Sequence, residues 1–248
     1  MPGSAFSIAG PIIVLNTIVA EVLGQFADIL EQSTDFQADL SRLIERTISN
    51  HKRIIFNGNG YDCAWIKEAE SRGLTNLKTT PEALSAFIAP KNVEVFTRHK
   101  VLTEHEIYSR YEIWLENYSK TINIEVLTMM DMVNKQVVPA VLAYQRELAE
   151  LILQKRAIGA HLSTSLEEGL LRQLAELSDS LNDRLHNLSQ QTKAVRKIED
   201  KLGQAAAWRE KVLTAMAELR MIVDELETLV SSKHWQIPTY AEILNSVV

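Results

Sequence analysis

Four features of this 248-residue sequence are candidates for chemistry: one thiol, a pair of nearby histidines, a glycine-rich turn and a set of acidic helix positions. Cys63 is the only cysteine, which excludes an internal disulfide and any cysteine-based zinc cluster. A lone thiol with no recognisable base partner is weak ground for a nucleophile, and its role stays open. His99 and His105 are six positions apart, on different faces of a helix or across a cap. No carboxylate–histidine set completes them as metal ligands, so solvated side chains are expected. Asn57-Gly58-Asn59-Gly60 matches neither the Walker pattern nor the dinucleotide fingerprint, and reads as a structural turn. Glu167, Glu168 and Glu176 are expected on polar helix faces, and Asp131 and Asp224 on the solvent side of apolar-rich stretches. Paired catalytic carboxylates need a desolvated pocket that separates their pKa values, and none is legible. No G-x-S-x-G or H-E-x-x-H pattern occurs. These residues name no catalytic, cofactor-binding or metal-binding position.

The elements that would position them are helical. Hydrophobic residues make up 46%, aromatics 6%, with Gly 9 and Pro 6, a balance that favours helices over sheets. A net charge of −6 argues against a nucleic-acid surface. No targeting segment is recognised at MPGSAFS. The apolar run Pro11–Leu23 is broken by Asn16 and Glu21 and is too short to cross a bilayer. A cytoplasmic protein without membrane or nucleic-acid partners is expected.

Residues 1–10 read as small and turn-rich, with Pro11 in the first turn of a helix. Leu15, Ile18, Val19, Val22, Phe26, Ile29 and Leu30 form that helix's main apolar face. Ile12, Ile13 and Val14 extend its apolar character further round. A helix greasy on so many sides is buried on more than one of them. Either later segments wrap it, or it expects a layer from elsewhere; the second is favoured. Residues 28–37 read as loop, Phe36–Ile48 as a helix, His51–Phe56 as a possible short strand, and Tyr61–Arg72 as a helix stopped by Gly73. Thr80-Pro81-Glu82 opens another helix. Thr103-x-x-Glu106 is a capping box leading into Tyr108–Glu125. There Tyr108, Tyr111, Leu115, Tyr118 and Ile122 share a stripe, and Trp114 lies one turn from Arg110, within stacking reach.

Three long amphipathic stripes follow. Met130, Val133, Val137, Val141, Tyr144, Leu148 and Leu151 form the first, with a kink expected at Pro139. Overlapping capping boxes at Thr164/Glu167 and Ser165/Glu168 would open the second, which runs roughly 50–55 Å from Leu166 to Leu202 before Gly203. Trp208, Val212, Ala215, Leu219, Ile222, Leu226 and Leu229 make the third. Short connections between such helices predict an antiparallel bundle. Thr239-x-x-Glu242 caps a last turn, and Trp235 and Tyr240 are candidate anchors for the tail.

Several multi-residue runs resemble the carboxy-terminal part of type III glutamine synthetases. They are MPGSAFSIAGPIIVLNTIVAE at 1–21, KRIIFNGNGY at 52–61, LKTTPEAL at 77–84, SRYEIWLENYSKTINIE at 109–125, ELRMIVDELETLV at 218–230 and PTYAEIL at 238–244. The resemblance implies a mainly α chain with at most one short strand. Residues 1–125 would be the closing helical part of a catalytic domain, and 126–248 a helical-bundle extension. It implies an ATP-dependent glutamate–ammonia ligase family of nitrogen metabolism that uses Mg or Mn and assembles as a double-ringed homo-oligomer. The family's metal, nucleotide, ammonia and glutamate sites lie upstream of the Pro-Gly-Ser at residues 2–4, so none of them maps onto this sequence. The expectation is a catalytically incomplete portion that serves scaffold and assembly, with the remainder of the catalytic domain as its partner. The alternative is a self-standing helical interaction protein derived from that enzyme.

Overall fold

A computed structural model describes residues 7–159 and 161–245, apart from the side chain of Tyr240. Expectations that fall on residues 1–6 and on the Tyr240 ring lie outside the described residues. Among those described there is no strand; the chain is mainly α. It divides into two compact units, Met1–Trp114 and Leu115–Val248.

The first unit holds α1 (Ala9–Leu30), α2 (Phe36–Asn50), α3 (Cys63–Ser71), α4 (Thr80–Phe87), α5 (Pro90–Arg98) and the start of α6 (Glu104–Met132). Its core is small. Phe96, Leu102 and Ile107 are buried, with Ile13, Val14, Phe87, Ile88 and Val93 packed around them. Local chemistry sets the helix starts. Asp35 and Asp62 cap α2 and α3. Thr79, rather than Thr80, caps α4: its hydroxyl oxygen accepts from the Glu82 amide, and the Glu82 carboxylate accepts from the Thr79 amide. Thr103 and Glu106 form the expected box at α6. The possible strand at His51–Phe56 is instead a 3₁₀ turn, Lys52–Ile54. It has no neighbouring strand to pair with, and the Arg72 guanidinium takes the Ile55 carbonyl at 2.9 Å. Gly73 follows α3 at φ +73°, a left-handed stop that glycine adopts without a Cβ clash.

α1 is 22 residues long, and by length and composition it could cross a bilayer, more than the Pro11–Leu23 run alone suggests. One of its sides is nonetheless seated on protein. Gly10 lets the Trp114 indole approach so closely that a Cβ there would lie 3.1 Å from the ring. Glu21 then fixes the middle of the helix to α5. Its carboxylate accepts from Arg98 at 2.6 Å, and its other oxygen lies 2.6 Å from His99 Nε2. His99 is therefore a half-buried partner of Glu21 rather than a solvated side chain, whereas His105 is exposed. Hydrogen bonds from Gln25 and His99, with Arg98 nearby, hold the Glu21 carboxyl below its ordinary value.

The second unit carries the rest of α6 and then α7 (Val138–Ile158), α8 (Ser165–Val195), α9 (Lys201–Ala207), α10 (Leu213–Leu229) and α11 (Tyr240–Asn245). A continuous core runs from Ile122 and Val126 through Val141, Leu174, Leu188, Trp208 and Leu219 to Val230. α8 packs against both α7 and α10, as the three stripes require. Instead of a simple proline kink, Val133–Val137 forms a π-helical turn just before Pro139. The extra residue removes the clash and the missing hydrogen bond that a proline imposes on a regular helix. A second π turn, Trp208–Val212, links α9 to α10. α8 stops at Val195, not Gly203, so it is about 46 Å long. Asp200 caps a new helix by accepting from the Gly203 amide. Ile152, rather than the more exposed Leu151, completes the first stripe.

The capping boxes expected at α8 do not form. Thr164 is the N-cap without a side-chain cap bond, and both glutamates reach back across the loop. Lys155 pairs with Glu167, and Arg156 with Glu168 at 2.8 Å. Glu167 is thereby buried, not on a polar face; Glu176 is exposed as expected. Asp131 and Asp224 lie on the solvent side in i,i+4 pairs with Lys135 and Arg220.

Two outcomes test this architecture. Leu188 is fully buried, so Leu188→Ala should lower unfolding stability by about 2–5 kcal/mol in a denaturant titration. The Glu21 carboxyl is held below its ordinary value, so its contribution is complete above the ordinary carboxylate range and is lost as pH falls through the depressed folded value. Protection factors of α1 amides, corrected for intrinsic exchange, should fall on acidification through and below the ordinary carboxylate range. In Glu21→Gln protection should be lower from the outset, and this acid-dependent loss should be missing.

Candidate functional site: an uncovered helix face and the groove at its foot

The amphipathic logic of α1 leaves one requirement unmet within its own unit. Seating Ile13, Val14 and Thr17 on the core turns Leu15, Ile18, Val19, Val22 and Leu23 outward. Leu15 is 61% exposed, Leu23 59% and Val19 56%. Isolated exposed aliphatics are ordinary, but a contiguous row along one helix marks an interaction surface. Full burial of each such side chain is worth roughly 1.5–3 kcal/mol, so this face carries a large unused driving force.

At the N-terminal foot of α1 lies an open groove of about 880 Å³. α1 lines one side, with Gly10, Ile13 and Val14 among its lining residues, and Phe87 of α4, Phe96 of α5 and Trp114 of α6 are among those opposite. The aromatic rings hold one another. Phe87 packs on Trp114 at 4.8 Å between centroids and on Phe96 at 5.4 Å. That cluster draws the Trp114 indole inward, and no stacking of Arg110 on it is found among the described residues. Arg110 instead stands at the groove, the one charged lining residue among those described.

The other candidates are dispersed. Cys63 is exposed at the first position of α3. The Asn57–Gly60 segment is the structural turn expected of it. The Asn59 side chain accepts from the Tyr61 amide at 3.1 Å, its carbonyl accepts from the Asp62 amide at 3.2 Å, and Asp62 goes on to cap α3. Beside it, Phe56 and Trp65 stack at 4.1 Å with the Arg72 guanidinium over the Trp65 ring. No group of three or more His, Cys, Asp or Glu among the described residues is placed to hold a metal ion. Sequence reading missed the Glu21–Arg98–His99 cluster, because its partners are 77 and 78 positions apart. The only signal was a glutamate interrupting an apolar run.

Comparison with known proteins gives this geometry a family. Residues 39–156 match the model of the glutamine synthetase C-terminal domain. A glutamine synthetase of Butyrivibrio fibrisolvens is 39% identical over 213 residues, covering 86% of this chain and 30% of the relative. The type-3 glutamine synthetase of Dictyostelium discoideum is 36% identical over 252 aligned residues, covering 98% and 34%. A glutamine synthetase of Bacteroides fragilis is 26% identical over a similar span. The chain spans about a third of the length of the curated relatives it matches. A helical chain that aligns almost end to end with a third of a type III enzyme, and carries that family's C-terminal domain, belongs to the glutamine synthetase family as a carboxy-terminal portion of the type III branch.

Proposed function

We propose that this chain is the scaffold and assembly portion of a cytoplasmic glutamine synthetase, an ATP-dependent glutamate–ammonia ligase, and is catalytically incomplete by itself. The observation that carries the reading is the row of exposed aliphatics on α1. It is the surface a partner layer would cover, and relatives are three times as long as this chain. The remainder of the catalytic domain is the partner, with a homo-oligomer built from the joined unit. On this reading residues 1–125 close the catalytic domain and 126–248 form the type III extension.

On this reading the chain itself holds neither ATP nor Mg or Mn. It is supported by the lack, among the described residues, of any group of three or more His, Cys, Asp or Glu placed to hold a metal ion, and by the Tyr61 and Asp62 amides, which bond within their own turn. No step of phosphoryl transfer is therefore derived from them. Nucleotide and metals would be held by the rest of the synthetase. The alternative, a self-standing helical interaction protein, draws support from the second unit, which owns a continuous core.

The two readings separate in solution. The purified chain should self-associate through α1, and light scattering should show a concentration-dependent mass that Leu15→Glu with Val19→Glu shifts toward the monomer. A clean wild-type monomer would favour the self-standing protein. Mg/ATP-dependent γ-glutamyl transfer should be absent; robust turnover by the chain alone would overturn the proposal.

A further inference from the structure

We infer that the groove at the foot of α1 receives a polypeptide segment that pairs apolar side chains with a carboxylate, and that Arg110 is the residue that reads the carboxylate. This rests on the reading of α1 as a surface covered by the rest of the synthetase, and it specifies the chemistry of what arrives.

The groove's polar groups make the case. Thr17 donates its hydroxyl to the Ile13 carbonyl at 2.7 Å, the Asn92 side-chain amide donates to the Ala86 carbonyl at 2.5 Å, and Ser7 accepts from the Ala9 amide. Each of these has a partner within its own chain. Arg110 makes no hydrogen bond or ion pair among the described residues. The nearest acidic group one turn away, Glu106, is engaged by the Thr103 amide at 2.8 Å and the Thr103 hydroxyl at 2.9 Å. These two hydrogen bonds, with a smaller contribution from the nearby Arg110 charge, hold the Glu106 carboxyl below its ordinary value.

A guanidinium cannot lose its proton near neutral pH. If a partner covers the groove, Arg110 is taken from water, and a desolvated charge without a counter-charge is strongly unfavourable. Glu106 feels the Arg110 charge but bonds to the cap through Oε2, so a carboxylate on the arriving segment would give Arg110 the directly bonded partner it lacks among the described residues. The remaining walls, Ile13, Val14, Phe87, Phe96 and Trp114, demand apolar side chains beside it. Relatives contain about twice as much additional polypeptide as this chain supplies, which makes a protein segment the occupant of choice over a free fatty acid.

The test uses the full chain and two blocked peptides, acetyl-Leu-Phe-Glu-Leu-Phe-amide and its Gln counterpart. Binding is followed at the Trp114 indole N–H signal in nitrogen–proton correlation spectra, assigned with Trp114→Phe. The Glu peptide should shift that signal and bind roughly tenfold more tightly than the Gln peptide. The preference should disappear in Arg110→Gln and persist in Arg110→Lys, which retains the charge. Equal binding of the two peptides, or no movement of the Trp114 signal at millimolar Glu peptide, would overturn the inference. So would decanoate displacing the Glu peptide with the same Arg110 dependence at lower concentration. Arg110→Gln should leave α1-dependent self-association unchanged, so loss of the peptide preference and loss of the assembly reading are separate outcomes.

Discussion

The first unit depends on holding down a helix whose hydrophobic surface exceeds what its own neighbours can cover. Burial alone does not fix the orientation of such a helix, because several of its faces are nearly equivalent to an apolar core. Direction comes from polar contacts. Glu21 bridges to Arg98, the last residue of α5, and to His99 at its C-cap, and Gly10 admits the edge of Trp114. A charged anchor in the middle and a close-packed glycine at the foot select one rotation about the helix axis. The aliphatic row that remains outside is the direct result of that selection, and the aromatic groove is the space left beside it.

Much of this was readable from periodicity and caps, because those signals are local. The excess apolarity of Ile12–Leu23 pointed to the aliphatic face that its own unit leaves exposed. The Thr103/Glu106 and Thr239/Glu242 boxes were found where two residues three apart specify a helix start. The three heptad-like stripes gave the bundle. What failed was decided by contacts far apart in sequence or by competition between partners. Glu167 and Glu168 had the spacing of capping boxes, yet a lysine and an arginine from the preceding helix offered full opposite charge. His99 has no neighbour in sequence that announces Glu21. Arg110 had an aromatic ring one turn away, but that ring was already claimed by Phe87.

The second unit shows how a regular pattern tolerates irregular backbone. Pro139 sits inside the long run from α6 to α7, and the π-helical turn ahead of it absorbs the steric conflict without ending the helix. Val133 and Val137 at the ends of that turn stay buried, so the stripe survives the change of pitch. The Trp208–Val212 turn does the same, keeping both Trp208 and Val212 in the core. In each case packing fixes which side chains point inward, and the backbone hydrogen-bond register yields.

The clasp between the last turn of α7 and the first turn of α8 has a kinetic consequence. Its two ion pairs join residues only twelve positions apart, so closing that hairpin sacrifices little chain freedom. Bringing Glu21 to Arg98 spans 77 positions and is correspondingly slower to achieve. The expected order is that α7 and α8 zip together early and serve as a template for α10, while α1 docks last. Pulsed amide labelling during refolding would record that sequence as protection of Leu148 and Leu174 before Val14, and the reverse order would refute it.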